Sequence, residues 1–386
     1  MSESTGSGPS DDRRSLLIIT FSPLKSDARL LRQLRLLSPR YAVTTVGYGE
    51  APDGDGIELA GHVRIPDSIV AWHKDRKQVI ARRYQRAYDT APVIKFLRAE
   101  LTPGTWDLVL ANDVETVPLA MTMGAQGVHA DLHEYAPRQN EESWRWRLFI
   151  APFNRWIVQR WVSKADSTST VGAELAREYE REFGIKPDVV VNAAPYVDRE
   201  PTPVGDPLRL VHSGLARRNR SLDVMIDAVR LAKRETTLDL YLMPNDPTYL
   251  AELKASAQDL PQVSFHEPVA PHELGDRLAQ ADLGIFVLPP LTFNYRFTLP
   301  NKFFDFVQAR LGIIVGPSPE MAGLIELHGL GAVTEDFTAQ SLAAALDGLS
   351  DEQVAGFKAA SHAVAHELSA EEQIQGWAKA IDALDV

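Results

Sequence analysis

The apolar positions alternate between two periods along most of the chain. Ser15–Phe21 (SLLIITF) is an unbroken apolar, β-branched run closed by Ser22-Pro23, which predicts a buried strand. Ala28–Leu37 carries leucines at 30, 31, 34 and 37, the stripe of an amphipathic helix. Tyr41–Val46 (YAVTTV) predicts a second strand. Strand, helix and strand in that order predict a parallel pair joined by a crossover. The alternation returns downstream, with strands over Asp107–Ala111, Gly127–Asp131, Ala165–Thr170 and Asp188–Asn192 and helices over Val117–Met123 and Gly172–Phe183.

Prolines at 201, 203 and 207 with Gly205 then break both periods, so Val197–Pro207 reads as a linker. A second series follows. Strands are expected over Leu208–His212, Leu238–Met243, Val263–His266, Leu283–Val287 and Gly312–Gly316, with helices over Leu222–Arg234, Leu274–Gln280 and Lys302–Gln308. The expected fold class is α/β, with two doubly wound Rossmann-like domains facing a cleft, where ligands bind beyond the carboxyl ends of the strands. The boundaries read as a disordered tail over 1–14, an N-terminal Rossmann-like domain over 15–196 and a linker over 197–207. A C-terminal Rossmann-like domain over 208–368 and a C-terminal helix over 369–386, packing back toward the first domain, complete the chain.

Composition narrows the function classes. The 386 residues contain no cysteine, which removes disulfides, thiolate metal sites and a cysteine nucleophile, and suits a reducing cytoplasm. The Ser-, Gly- and Asp-rich start has no apolar run, unlike a signal peptide. No stretch approaches the roughly 18 apolar residues of a membrane span. Residues 1–190 hold 25 charges of each sign, so the whole net charge of −12 resides in the second half. An acidic half argues against a nucleic-acid partner. No GxGxxG, HExxH or DxD-type pattern is present, and His362 and His366, four apart, have no third ligand nearby, so no cofactor and no metal is expected.

Several segments, in order, resemble glycosyltransferase family four, retaining enzymes of the GT-B fold. They are SDARLLRQLRLLSPRYAVTTVG, WDLVLANDVETVPLA, DLHEYAP, VSKADSTSTVGAELAREY and VVVNAAPYVD in the first half. HSGLARRNRSLDVMIDAV, VSFHEPVAPHELGDRLAQADLGIFV, LPNKFFDFVQARLGIIVGPSPEMAGLI and GLGAVTEDF follow in the second. The resemblance implies a metal-independent, hexosyltransferase-type enzyme, with an acceptor-side domain over 15–196 and a nucleotide-sugar-binding domain over 208–368. It would move a sugar from a nucleotide donor to a glycan, lipid-linked or small-molecule acceptor, as part of polysaccharide or glycoconjugate synthesis. Two departures stand out. Phe297 occupies the first of two acidic positions eight apart, with Asp305 at the second, and the loop Ser22–Asp27 has no glycine. Phe297 keeps alternatives open: a GT-B sugar-nucleotide epimerase, or a degenerate protein that binds nucleotide sugar without turnover.

A departing diphosphate gains negative charge, so fixed cations and N–H groups stabilise its transition state. Lys302, at the start of its helix, is the leading candidate, with backbone N–H groups of Leu299 and Asn301 beside it. Arg220 matches the family's second basic diphosphate ligand, with Arg217 and Arg218 as neighbours in the same loop. Asp305 is implied to hold the nucleotide ribose. His133, just past a strand end, is given a positioning role near the donor sugar, because a same-face attack uses the departing phosphate as base. Asp27, Arg29, Asp113 and Glu134 are the acceptor-side candidates, and His212 reads as structural.

A last feature concerns membranes. Lys74–Ala91 reads as one helix, with Ile80, Tyr84, Ala87, Tyr88 and Ala91 on one face and Arg76, Arg82, Arg83 and Arg86 beside it. Trp144–Lys164 adds four of the seven tryptophans among basic residues. A basic amphipathic helix of this kind suits reversible contact with an anionic membrane. The expected location is cytoplasmic, peripheral at the inner face of the membrane.

Overall fold

The structure is a computed structural model that describes residues 12–54, 56–71 and 74–384. Most of the tail expected over 1–14 lies outside the described residues. The chain divides into two compact units. Unit 1 comprises residues up to 171, 176–190 and 374–386, and unit 2 comprises 172–175 and 191–373.

Unit 1 is built on a seven-stranded, wholly parallel sheet. Its strands are β1 (Ser15–Pro23), β2 (Ala42–Tyr48), β3 (Leu59–Ile65), β4 (Leu108–Asn112), β5 (Gly127–Leu132), β6 (Ser167–Thr170) and β7 (Asp188–Val189), in the order β3-β2-β1-β4-β5-β6-β7. Its helices are α1 (Ala28–Leu37), α2 (Arg76–Ile80), α3 (Tyr84–Asp89), α4 (Pro92–Glu100), α5 (Val117–Ala120) and α6 (Ala151–Arg160), with α7 (Ala173–Phe183) joining from Ala176 onward. A π-helical turn over Trp146–Ile150 leads into α6. The leucine stripe of α1 does what its spacing dictates: Leu30, Leu34 and Leu37 are buried against Leu16 and Ile18 of β1. Each such side chain contributes about 1.5–3 kcal/mol.

Unit 2 carries β8 (Leu208–Leu215), β9 (Thr236–Met243), β10 (Val263–His266), β11 (Leu283–Phe286), β12 (Gly312–Val315) and β13 (Gly331–Val333). The order β10-β9-β8-β11-β12-β13, again parallel, is the 3-2-1-4-5-6 order of dinucleotide-binding sheets. The helices are α8 (Asp223–Leu231), α9 (Pro247–Ser256), α10 (Pro271–Leu278), α11 (Phe293–Arg296), α12 (Asn301–Gln308), α13 (Pro319–His328), α14 (Ala339–Gly348), α15 (Asp351–Val364) and α16 (Ala370–Gln373). The Pro-rich segment 197–207 forms no helix or strand and is fastened along unit 2. Arg199 donates to Gly275 O and Asp276, Gly205 N to Asp282, and buried Lys358 to Thr202 and Asp282. The last helix, α17 (Gln375–Asp382), belongs to unit 1. There Ile381 enters the core, and the Trp377 ring lies under the Arg29 guanidinium at 4.5 Å.

One expected element is corrected. The stretch 74–91 is two short helices, broken where Arg82 takes the left-handed conformation at φ 54°.

Candidate active site

In unit 2 the central strand β8 ends in His212, Ser213 and Gly214, and a 3-10 turn over Arg218–Arg220 follows. Pro300 precedes α12 and gives it no side-chain cap, so the first N–H groups of that helix stay available. Lys302, in the first turn of α12, extends over this strand end. Its Nζ is 3.2 Å from His212 Nε2 and 4.4 Å from the centre of the Phe286 ring.

The imidazole's state follows from its partners. His212 Nδ1 lies 2.8 Å from the Ile285 carbonyl, which only accepts, so Nδ1 carries the hydrogen and Nε2 offers a lone pair to the ammonium. Burial, then the charges of Lys302 and Arg220, hold His212 well below the usual imidazole range, so it is neutral. Lys302 is itself perturbed. Burial first and the Arg220 charge second outweigh the attraction of Asp305 and bring its pKa down to about 7. Among the described residues no carboxylate forms an ion pair with Lys302 or with Arg220. Gly214, at φ 151°, makes room for the ammonium: a Cβ there would lie 2.5 Å from Lys302 Nζ. Two cations thus lie near one strand end, and among the described residues neither makes an ion pair.

The three arginines of the loop separate. Arg218 turns away to Glu252 at 2.6 Å and Asp246 at 3.8 Å, with its guanidinium over Tyr249. Arg217 is exposed in extended backbone. Arg220 stacks on Tyr295 at 5.0 Å, and Tyr295 accepts a hydrogen bond from Asn219. The expectation that Arg218 faces the same site as Lys302 is therefore corrected, since two carboxylates draw it elsewhere. Leu299 is buried before the helix, Asn301 opens α12, and Asp305 lies one turn on. Phe297 packs on Phe293 with ring centres 4.7 Å apart.

In unit 1 the carboxyl ends of β4 and β5 hold a buried polar network centred on Asp131. Its carboxylate accepts from Arg29 Nε at 2.7 Å and Nη2 at 2.6 Å, from Gln33 at 2.8 Å and from Ser169 at 2.6 Å. Arg29 also donates to the Val190 carbonyl. Burial opposes the Asp131 charge, yet Arg29 and His133 hold its carboxyl well below the usual range. His133 lies between two carboxylates, with Nδ1 3.4 Å from Asp113 and Nε2 3.4 Å from Asp131. Burial works against its charge, but those two aspartates outweigh it and raise its pKa.

Two acceptor-side candidates are corrected here. Asp27 caps α1, accepting from Arg29 N and Leu30 N, and also holds the Ser22 hydroxyl. Arg29 is 4% exposed and committed to Asp131. Both build the fold. Asp113, left-handed at φ 66°, is half-buried, and Glu134 is exposed. Sequence reasoning also passed over Glu115, a buried carboxyl pushed up to about 7, chiefly by burial. His212, expected to be structural, is indeed buried and bonded to the Ile285 carbonyl, and it also faces the Lys302 ammonium.

No protein-family model matches the chain, and no curated protein does. Solved structures do. HepE of Anabaena, in complex with UDP, superposes with a TM-score of 0.67 at 13% identity, over 96% of this chain and 100% of that one. A second HepE structure holds UDP-glucose and gives 0.62 at 14% over 96% and 99%. A glycosyltransferase from Rickettsia africae gives 0.67 at 12% over 97% and 99%. Sucrose-phosphate synthase from Thermosynechococcus elongatus gives 0.66 at 12% over 95% and 98%. At these identities the likeness establishes the architecture: the chain has the two-sheet parallel α/β fold shared by these GT-B glycosyltransferases.

Proposed function

We propose that this protein is a retaining, metal-independent glycosyltransferase that moves a hexose from a nucleotide-sugar donor to a glycan, lipid-linked or small-molecule acceptor. The observation that carries the reading is the pair of cations, Lys302 and Arg220, near the carboxyl end of β8, neither of them in an ion pair among the described residues. A buried ammonium with a pKa near 7 is stabilised by an anion. Two cations beside the uncapped start of α12 suit the diphosphate of a sugar nucleotide, the ligand class held by HepE in the same fold.

In this reading the bond from the sugar anomeric carbon to the phosphate oxygen breaks, and the acceptor oxygen bonds to that carbon on the same face. The acceptor proton passes to the departing phosphate. Lys302 and Arg220 hold the charge that develops on the diphosphate, and neutral His212 aims the ammonium. Asp305 serves the ribose, and His133 with Asp113 and Glu134 positions sugar or acceptor. The reading includes a cytoplasmic site of action at the inner face of the membrane. Among the described residues no helix is long and apolar enough to cross a membrane.

The test is calorimetric titration with UDP, GDP, ADP and dTDP, followed by turnover of the matching sugar nucleotides with EDTA present. One nucleotide should bind and its sugar be transferred, with loss of binding in Arg220→Gln. Failure of all four to bind refutes the donor reading, and inhibition by EDTA refutes metal independence. Phe297, aromatic where the resemblance implies an acid, favours a second reading, binding without turnover. Tight binding with no product from any acceptor extract would select it.

A further inference from the structure

The π-helical turn Trp146–Ile150 consists of Trp, Arg, Leu, Phe and Ile, yet none of its five residues is buried. Leu148 is exposed and Trp146, Phe149 and Ile150 are only partly covered, and a cluster of incompletely buried apolar side chains in one short turn marks a surface with a use. Beside the turn a pocket of about 460 Å³ is walled by Val79 and Ile80 of the first short helix and by Trp146 and Phe149 of the turn. Lys74, Arg76 and Arg145 complete its lining. Trp144 and Ile80 are each 59% exposed and Leu148 is 50% exposed.

The charge around this patch runs against the rest of the molecule. Residues 74–86 hold six basic side chains and one acidic one, in a chain of net charge −12. That one, Asp75, is engaged in capping α2 through Lys77 N and Gln78 N. Among the described residues Arg76, Arg82, Arg83, Arg86 and Arg145 make no ion pair. An apolar pocket and aromatic turn rimmed by Arg76 and Arg145, which make no ion pair among the described residues, match one kind of surface. In an anionic bilayer the hydrocarbon boundary lies just beneath a layer of phosphates, and Trp favours that level. A nucleic acid would use the cations and leave the apolar turn in water.

We infer that this face of unit 1 docks on an anionic membrane, with Leu148 and Phe149 entering the acyl boundary and Arg76 and Arg145 meeting lipid phosphates. The inference rests on and deepens the membrane-face part of the proposed function, and it is independent of the sugar-transfer chemistry. Where both hold, the acceptor is presented at the bilayer surface and belongs to the lipid-linked class.

The experiment is sedimentation of the full chain with vesicles of phosphatidylcholine, alone or mixed with phosphatidylglycerol, with nucleotide titration on the same samples. The protein should pellet only with the anionic vesicles and be released by salt. Brominated acyl chains should quench its tryptophan fluorescence. Replacing Arg76 and Arg145 by Gln should weaken binding about 25-fold, about fivefold per cation at ~1 kcal/mol each. Leu148→Ser with Phe149→Ser should abolish quenching, while Lys95→Gln, an exposed cation on α4, should bind as wild type. If the double serine variant misfolds by circular dichroism, Leu148→Ser alone replaces it. Absence of pelleting at low salt, equal pelleting with neutral vesicles, or wild-type binding by the Arg and Leu148 variants would overturn the proposal. So would a dimer, seen by light scattering, that the Leu148 variant dissolves. Nucleotide binding that persists through any of these leaves the donor reading standing.

Discussion

Replacing Lys302 by methionine should make the ligand-free protein more stable while removing its affinity for nucleotide. The fall of the Lys302 pKa from 10.5 to about 7 means that the folded state disfavours this charge. At 1.36 kcal/mol per pH unit that is about 5 kcal/mol. Methionine leaves His212 Nε2 without its donor, a loss of about 1–3 kcal/mol. The expected net gain at pH 6 is then about 2–4 kcal/mol. The sign with pH is fixed by linkage. Between about 7 and 10.5 the unfolded chain holds a proton on Lys302 that the folded chain lacks, so wild-type stability rises with pH across that window. The advantage of the variant should therefore be largest below pH 7 and about 3 kcal/mol smaller at pH 9 than at pH 6. Urea unfolding of both proteins at the two pH values measures this, and calorimetry with the nucleotide that binds supplies the other half. A variant less stable than wild type at pH 6 would show that Lys302 stabilises the fold, and undiminished nucleotide affinity would show that it is no anion ligand. Either result refutes the reasoning.

Nucleotide affinity of the wild type should fall as pH rises through about 7, where free Lys302 loses its proton, and binding above that pH should take up a proton, read by calorimetry in buffers of different ionisation enthalpy. Gly214→Ala places a methyl 2.5 Å from Lys302 Nζ and should reduce nucleotide affinity about tenfold, near 1.4 kcal/mol, with the fold retained by circular dichroism. Arg29→Met leaves Asp131 buried without its main partner and should destabilise the protein by about 3–5 kcal/mol in urea, with most of the loss recovered by adding Asp131→Leu. His133→Ala should lower the transfer rate but leave nucleotide affinity unchanged; a parallel loss of binding would count against a positioning role.

The strands with continuous apolar runs, such as Leu16–Ile19 and Ile313–Val315, are legible because burial on both faces leaves no other pattern. β3 is not, since LAGHVRI on a sheet edge is half-exposed and mixed in polarity. The stretch 74–91 shows how a correct periodicity still misleads. Val79 and Tyr88 are both buried, and nine residues of one continuous helix would set them about 180° apart. Breaking the helix at Arg82 lets each find its own wall, and Tyr88 then donates to the Glu115 carbonyl. The arginines at 217, 218 and 220 share one loop, and in the sequence only the resemblance favours Arg220. What separates them is Glu252 and Asp246, residues outside the loop. The Arg29–Asp131 pair spans 102 positions and has no local signature at all.

Two clusters treat charge in opposite ways, and the difference points to where an anion belongs. Around Asp131 in unit 1 the charges are matched: Arg29 by Asp131, and His133 by Asp113 and Asp131. At the end of β8 in unit 2, Lys302 and Arg220 repel one another, and only a neutral imidazole and an aromatic face receive the ammonium. Evolution of a fold for stability alone would place a carboxylate there, since an unpaired buried charge is destabilising by several kcal/mol. Asp305 is on the right helix to provide one, yet its pull is the weakest influence on Lys302. In the proposed reading an arriving anion stabilises the protonated ammonium, so above about pH 7 nucleotide binding and protonation of Lys302 are coupled.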